Sequence, residues 1–137
     1  MLLTTLVFVG CKNRYSGPNQ IEIDRFKLLD DDLLVVVNVK KTNFTGFYPE
    51  KDSCPDGLYC TPPCFWFTHE AKILDILNGQ LSGDKIKFSI LQHVDNTEEI
   101  KKEWYVHLKK FENISTVNNL ESDYYVENHN SEFSICY

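Results

Sequence analysis

Leu33-Leu34-Val35-Val36-Val37-Asn38-Val39 is the stretch that most limits what this chain can become. β-Branched side chains lose rotamer freedom in a helix and pack well on a pleated surface, so the run predicts a strand. No polar residue interrupts it before Asn38, and a strand of that kind is buried on both faces or at its centre. Asp30-Asp31-Asp32 precedes it and reads as a solvated strand boundary. Those carboxylates lack the alternating oxygen spacing and the glycine of a calcium loop.

The pattern beyond this run is also that of short strands. Phe65, Phe67, Ala71 and Ile73 fall on one face, with Thr68, Glu70 and Lys72 opposite, which predicts a half-buried strand. The phase slips near Ile73-Leu74, and a β-bulge is the simplest cause. Asn78-Gly79 and Ser82-Gly83-Asp84 then supply turn chemistry before a strand with Ile86, Phe88 and Ile90 on its apolar side. Residues 95–102 suit one short helix, capped by Asn96 or Thr97 and running from acidic to basic residues along the dipole. Trp104, Val106 and Leu108 mark a fourth strand, residues 123–127 a fifth, and residues 133–136 a further terminal one. Closure removes exposed edges, so the expected fold is all-β with one short helix: a five-stranded OB-like Greek-key barrel with a cysteine-rich loop, formed by residues 21–137.

The loop is the segment from Asn43 to Pro63, where Gly46, Pro49, Pro55-Asp56-Gly57 and Pro62-Pro63 repeatedly block ladder pairing. It brings Cys54 and Cys60 close in sequence to Cys64, with Cys136 far away at the other end. Four cysteines pair in three ways, and export would make two disulfides the default. A bridge to Cys136 would remove on the order of 4 kcal/mol of unfolded-chain entropy, against roughly 3 for a local one. The competing reading is a four-thiolate zinc site, for which the Cys60-x3-Cys64 spacing fits and the Cys54-x5-Cys60 spacing does not. Tyr48, Tyr59, Phe65 and Trp66 flank the cysteines and are the expected binding surface, since aromatics held on a stapled loop make good interface anchors; the alternative is that they cap the end of the barrel.

A net charge of −6, with 14 basic residues scattered among 20 acidic ones, argues against nucleic acid as a partner. His69-Glu70 begins like a metalloprotease helix, but Ile73 stands where the second histidine belongs and the segment alternates as a strand. His93, His107 and His129 have no metal-ligand spacing and read as surface or rim histidines. No catalytic residue, resident metal or cofactor is expected.

At the N-terminus an apolar run, residues 2–9, ends in Gly10-Cys11 and turns polar at once with Lys12-Asn13-Arg14. This resembles the signal of bacterial lipoproteins. The resemblance implies that residues 1–10 are removed, that Cys11 carries the lipid and that residues 11–20 form a flexible lipidated tether. Lys12 in place of an aspartate favours the outer membrane by the same resemblance. The alternatives for the run are a plain cleaved secretory signal and an intact first strand; at eight residues it is far below the roughly 20 that span a bilayer.

Ile76-Leu77-Asn78-Gly79, Gly83-Asp84-Lys85-Ile86 and Tyr105-Val106-His107-Leu108 are similar to a strand, turn and strand sequence in the tissue-inhibitor-of-metalloproteinase and netrin-like group of OB-fold domains. That likeness implies the fold. Inhibition by a free N-terminal cysteine is not carried over, because an acylated Cys11 on a tether has no free amine to offer. The expectation is therefore an exported envelope lipoprotein that works as a non-catalytic binding module, anchored in the membrane and meeting a protein partner. A secreted inhibitor of an extracellular hydrolase and a zinc-stabilised structural domain are the alternatives.

Overall fold

A computed structural model describes residues 14–49 and 64–136. Five strands form a closed barrel: β1 (Leu33–Phe44), β2 (Phe65–Asn78), β3 (Lys85–Gln92), β4 (Trp104–Lys110) and β5 (Tyr124–His129). Their order is β1-β2-β3-β5-β4, and β4 pairs back onto β1. All pairings are antiparallel except β3 with β5, where Phe88 lies opposite Tyr124 and Ser89 opposite Tyr125. This is the OB-like Greek-key barrel expected from the sequence.

β1 and β2 are long enough to serve both sides of the barrel only because they bend, and extra residues make the bends. Val36 pairs with Asp75 and Val37 with Ile73, which leaves Leu74 as an extra residue at the position where the alternation slips. Leu77 and Lys40 are extra in the same sense nearer the two ends of the ladder.

Leu33 to Val37 are buried without a break because each face of β1 has its own apolar cover. Leu33, Val35 and Val37 point into the barrel with Phe67, Phe88, Ile90, Trp104, Val106 and Leu108. Leu34 and Val36 point outwards, yet have no exposed surface, because they pack with Phe26 and Tyr105 under Tyr15, Ile23 and Leu28. Each of those two outward side chains contributes roughly 1.5–3 kcal/mol by leaving water.

That cover changes the reading of the N-terminal segment. Residues 14–20, part of the expected tether, lie on the barrel: Tyr15 donates its hydroxyl to Asp75 Oδ2 at 2.9 Å, and the Asn19 amide donates to Tyr105 Oη at 3.0 Å. The chain then turns through a single helical turn, α1 (Gln20–Ile23), whose cap is Asn19. The segment covers the outer face of β1 because that face is apolar and leaves water when covered.

The helix expected over residues 95–102 is a three-residue 3₁₀ turn, Thr97–Glu99. The longer helix, α2 (Ile114–Leu120), instead joins β4 to β5, with the Asn113 side chain accepting from the amides of Ser115 and Thr116. Residues 133–136 form no strand but lie against the barrel, where the Cys136 amide donates to the Leu91 carbonyl at 2.8 Å. Cys11 and the run before it, and Cys54, Cys60 and Tyr59, lie outside the described residues.

Candidate functional site

The β1–β2 connection leaves the barrel beside the start of β2, and its first residues are fixed by backbone. The Trp66 amide donates to the Phe47 carbonyl at 2.9 Å, and the Thr45 amide donates to the Trp66 carbonyl at 3.2 Å. Thr45 Oγ1 donates to that same carbonyl and accepts from the Phe47 amide, while Gly46 takes the positive φ of 75° that the turn needs. Phe44, Phe47 and Tyr48 are thereby held outwards, with 60%, 44% and 49% of their surfaces exposed. Their rings do not stand alone. Phe44 packs on Phe65 and Phe67 at centroid distances of 5.3 Å each, and Tyr48 meets Phe65 edge-on at 5.7 Å.

Of the expected binding residues, the fold therefore joins Tyr48 to Phe65 and separates Trp66 from both. Successive residues of a strand face opposite ways, and Trp66 meets Phe111 edge-on at 5.2 Å, which in turn meets Tyr125 at 5.1 Å. Phe44 and Phe47 complete the patch and were not singled out by the sequence reading. The signal was present in the spacing of Phe44, Phe47 and Tyr48, but only the pairing of Phe44 with Phe67 shows that they share one end of the barrel.

Below the patch, Cys64 and Cys136 pair across 72 residues with their Cα atoms 6.3 Å apart. His93, exposed at the end of β3, stands against both: its Nδ1 is 3.8 Å from each sulfur and its Nε2 is 3.3 Å from Cys136 Sγ. Two thiols and an imidazole are donors that suit zinc, and their atoms all lie within 4.8 Å. With the sulfurs bonded to each other, however, neither is a thiolate ligand. The four-cysteine zinc set of the sequence reading contributes only this pair among the described residues, and His93 joins it through the fold without any ligand spacing in the sequence.

Of the other histidines, His69 and His107 are buried and His129 is half-buried. His107 is 4% exposed, and its Nε2 lies 2.9 Å from Asp32 Oδ2. Asp32 is thus part-buried rather than a solvated boundary; the Leu29 amide, and His107 beside it, hold its carboxyl below the usual carboxylate range. His69 has no exposed surface: its Nδ1 is 2.8 Å from Thr42 Oγ1, and its ring packs against both Phe88 and Trp104, which also touch each other. Burial pushes its pKa down to about 4, and does the same for His129, which packs against Trp104 and Phe133. None of these three rings opens onto the aromatic patch. Comparison with protein-family models, with curated proteins and with solved structures finds no match.

Proposed function

We propose that this protein is an envelope lipoprotein, held at the membrane through Cys11, that acts as a non-catalytic binding module and meets a protein partner through the aromatic patch at the β1–β2 end of its barrel. The observation that carries the reading is the exposure of Phe44, Phe47 and Tyr48 together, on a turn pinned to β2 by backbone hydrogen bonds. Rings fixed in this way lose little conformational freedom when covered, which is the economy that makes aromatic residues interface anchors. The β1–β2 loop is also one of the places where OB-type barrels recognise their ligands. The disulfide at its foot, between Cys64 and Cys136, suits an exported chain.

Two measurements test the reading. Labelling with radioactive palmitate in a bacterial host is expected to mark the wild-type chain and leave Cys11→Ser unmarked and released from the membrane fraction. A photo-crosslinking amino acid at Phe47 is expected to give one discrete adduct in cells, lost on Tyr48→Ala, while the same group at Glu121 gives none. Equal adducts at both positions, or none at Phe47, would remove the patch as the contact surface.

A further inference from the structure

The chain is acidic as a whole, yet the fold sorts its charges. One groove, of ≈ 970 Å³, is lined by Arg14, Lys40, Lys72, Lys101 and Lys102 against the carboxylates of Glu22 and Glu103. A second groove shares Lys40 and Lys72 and adds Lys41, Lys85 and Lys87 against Glu70 and Asp84. Together they gather eight of the fourteen cationic residues of the chain but only four of its twenty acidic ones.

The register explains how residues scattered in sequence become a band. Lys72 of β2 lies directly opposite Lys85 of β3 on one side and Asn38 of β1 on the other. The Asn38 side chain donates to the Lys102 carbonyl at 2.9 Å, which brings the segment before β4 to the same row. The extra residue in β1 at this level is Lys40, one more cation. Directly opposed like charges on an antiparallel ladder are destabilising, so the Lys72–Lys85 pair is a cost that the fold carries without structural return. Among the described residues, weak ion pairs relieve the band only at its margin, Lys41 with Glu70 at 4.0 Å and Lys87 with Glu121 at 3.5 Å. Lys40, Lys72, Lys85 and Lys102 are exposed.

The position of this band relative to the N-terminus points to its ligand. Arg14 lines the groove and stands three residues after Cys11, so at most about 11 Å of chain separates the groove from the proposed acyl anchor. We infer that the cationic band on β1, β2, β3 and the segment before β4 binds an anionic phospholipid surface and fixes how the barrel sits on its membrane. A basic surface beside a lipid anchor is the second of the two signals that stable, oriented membrane attachment uses. The orientation rests on the Cys11 reading given above, whereas binding of the band to anionic headgroups does not.

The test therefore uses the full chain carrying Cys11→Ser, without an acyl group, and vesicles of phosphatidylcholine with or without phosphatidylglycerol. Co-sedimentation is expected only with the phosphatidylglycerol vesicles, and is expected to fall as salt rises. The triple variant Lys40→Ala, Lys72→Ala, Lys102→Ala is expected to weaken it on the order of 100-fold, with the urea midpoint not lowered, since each lysine near such a surface is worth roughly fivefold. Lys27→Ala, Lys109→Ala, Lys110→Ala, which removes three cations from outside both grooves, is expected to change it little. Equal loss in the two triple variants, equal binding to phosphatidylcholine alone, or no sedimentation at all would overturn the assignment. So would lysine-dependent binding of inorganic phosphate, or of a single-stranded oligonucleotide, with an affinity matching that for the vesicles. Failure of palmitate labelling with vesicle binding intact would overturn the anchor and leave the band.

Discussion

His69 carries a pH dependence into the centre of the barrel. Its pKa is about 4 because burial disfavours the charged ring, whereas an unfolded histidine titrates near 6.5. Between those values the unfolded chain binds a proton that the folded chain refuses, so stability is full above about pH 6.5 and is lost as pH falls towards about 4. The loss amounts to about 3 kcal/mol for His69 and less for His129, whose ring is partly open to water. Urea unfolding from pH 7 to pH 4 is expected to show this slope, and His69→Phe, which keeps a ring against Phe88 and Trp104, is expected to remove more than half of it. Asp32 acts in a lower window: its depressed carboxyl gives stability that is present above its ordinary value near 3.8 and lost as pH falls through its folded value. Asp32→Asn is expected to cost about 1–3 kcal/mol at neutral pH, the worth of hydrogen bonds to a charged group, read from the shift in urea midpoint. Neither residue was legible as such in the sequence. Asp32 follows two exposed aspartates and His69 alternates with polar neighbours, and only the closure of the barrel decides which of them leaves water.

At the scale of elements, turns and strand faces were readable because they depend on near neighbours in the chain. Asn78-Gly79 announces a turn, and Gly79 takes φ 85°, with Leu33 and the Asp32 carbonyl 3.1–3.3 Å from where a Cβ would stand. Gly79→Ala combines a strained backbone with a contact that backbone atoms cannot relieve, and is expected to destabilise the fold by about 1–3 kcal/mol in urea unfolding. Gly83→Ala shares the conformation, φ 84°, but meets nothing within 4 Å, so its cost should be the smaller of the two. The slip at Leu74 was equally visible, since a bulge displaces the alternation by one residue. α2 was harder to see: Ile114, Val117 and Leu120 recur at three-residue spacing, but the helix is only seven residues long and buries only Leu120, so its strongest signal is the cap at Asn113. The tail 133–136 alternates like a strand yet packs irregularly, with Phe133 on the His129 ring and, among the described residues, only the Cys136 amide bonded to β3, at the Leu91 carbonyl beyond the two residues that pair with β5.

For the whole molecule, what joins distant parts is what the sequence hid. Eight cations from five segments meet only after the strands register, and Cys136 finds Cys64 only because the tail crosses to the end of the barrel where β2 begins and β3 ends. The sequence left three pairings open; the fold selects a long one, closing a loop of 72 residues, and such a loop is worth about 4 kcal/mol of unfolded-chain entropy. Cys136→Ser is therefore expected to lower the unfolding free energy by about that amount, and a reducing agent is expected to bring the wild-type protein to the same level. The same bridge anchors the base of the turn that presents Phe47 and Tyr48, so the crosslink at Phe47 should weaken in Cys136→Ser before the barrel unfolds. A chelator separates this account from zinc stabilisation through Cys64, His93 and Cys136. If stability rests on the disulfide, the melting temperature of the non-reduced protein is unmoved by chelator and falls with reductant. A fall with chelator alone would mean that the sulfurs meet a metal instead of each other.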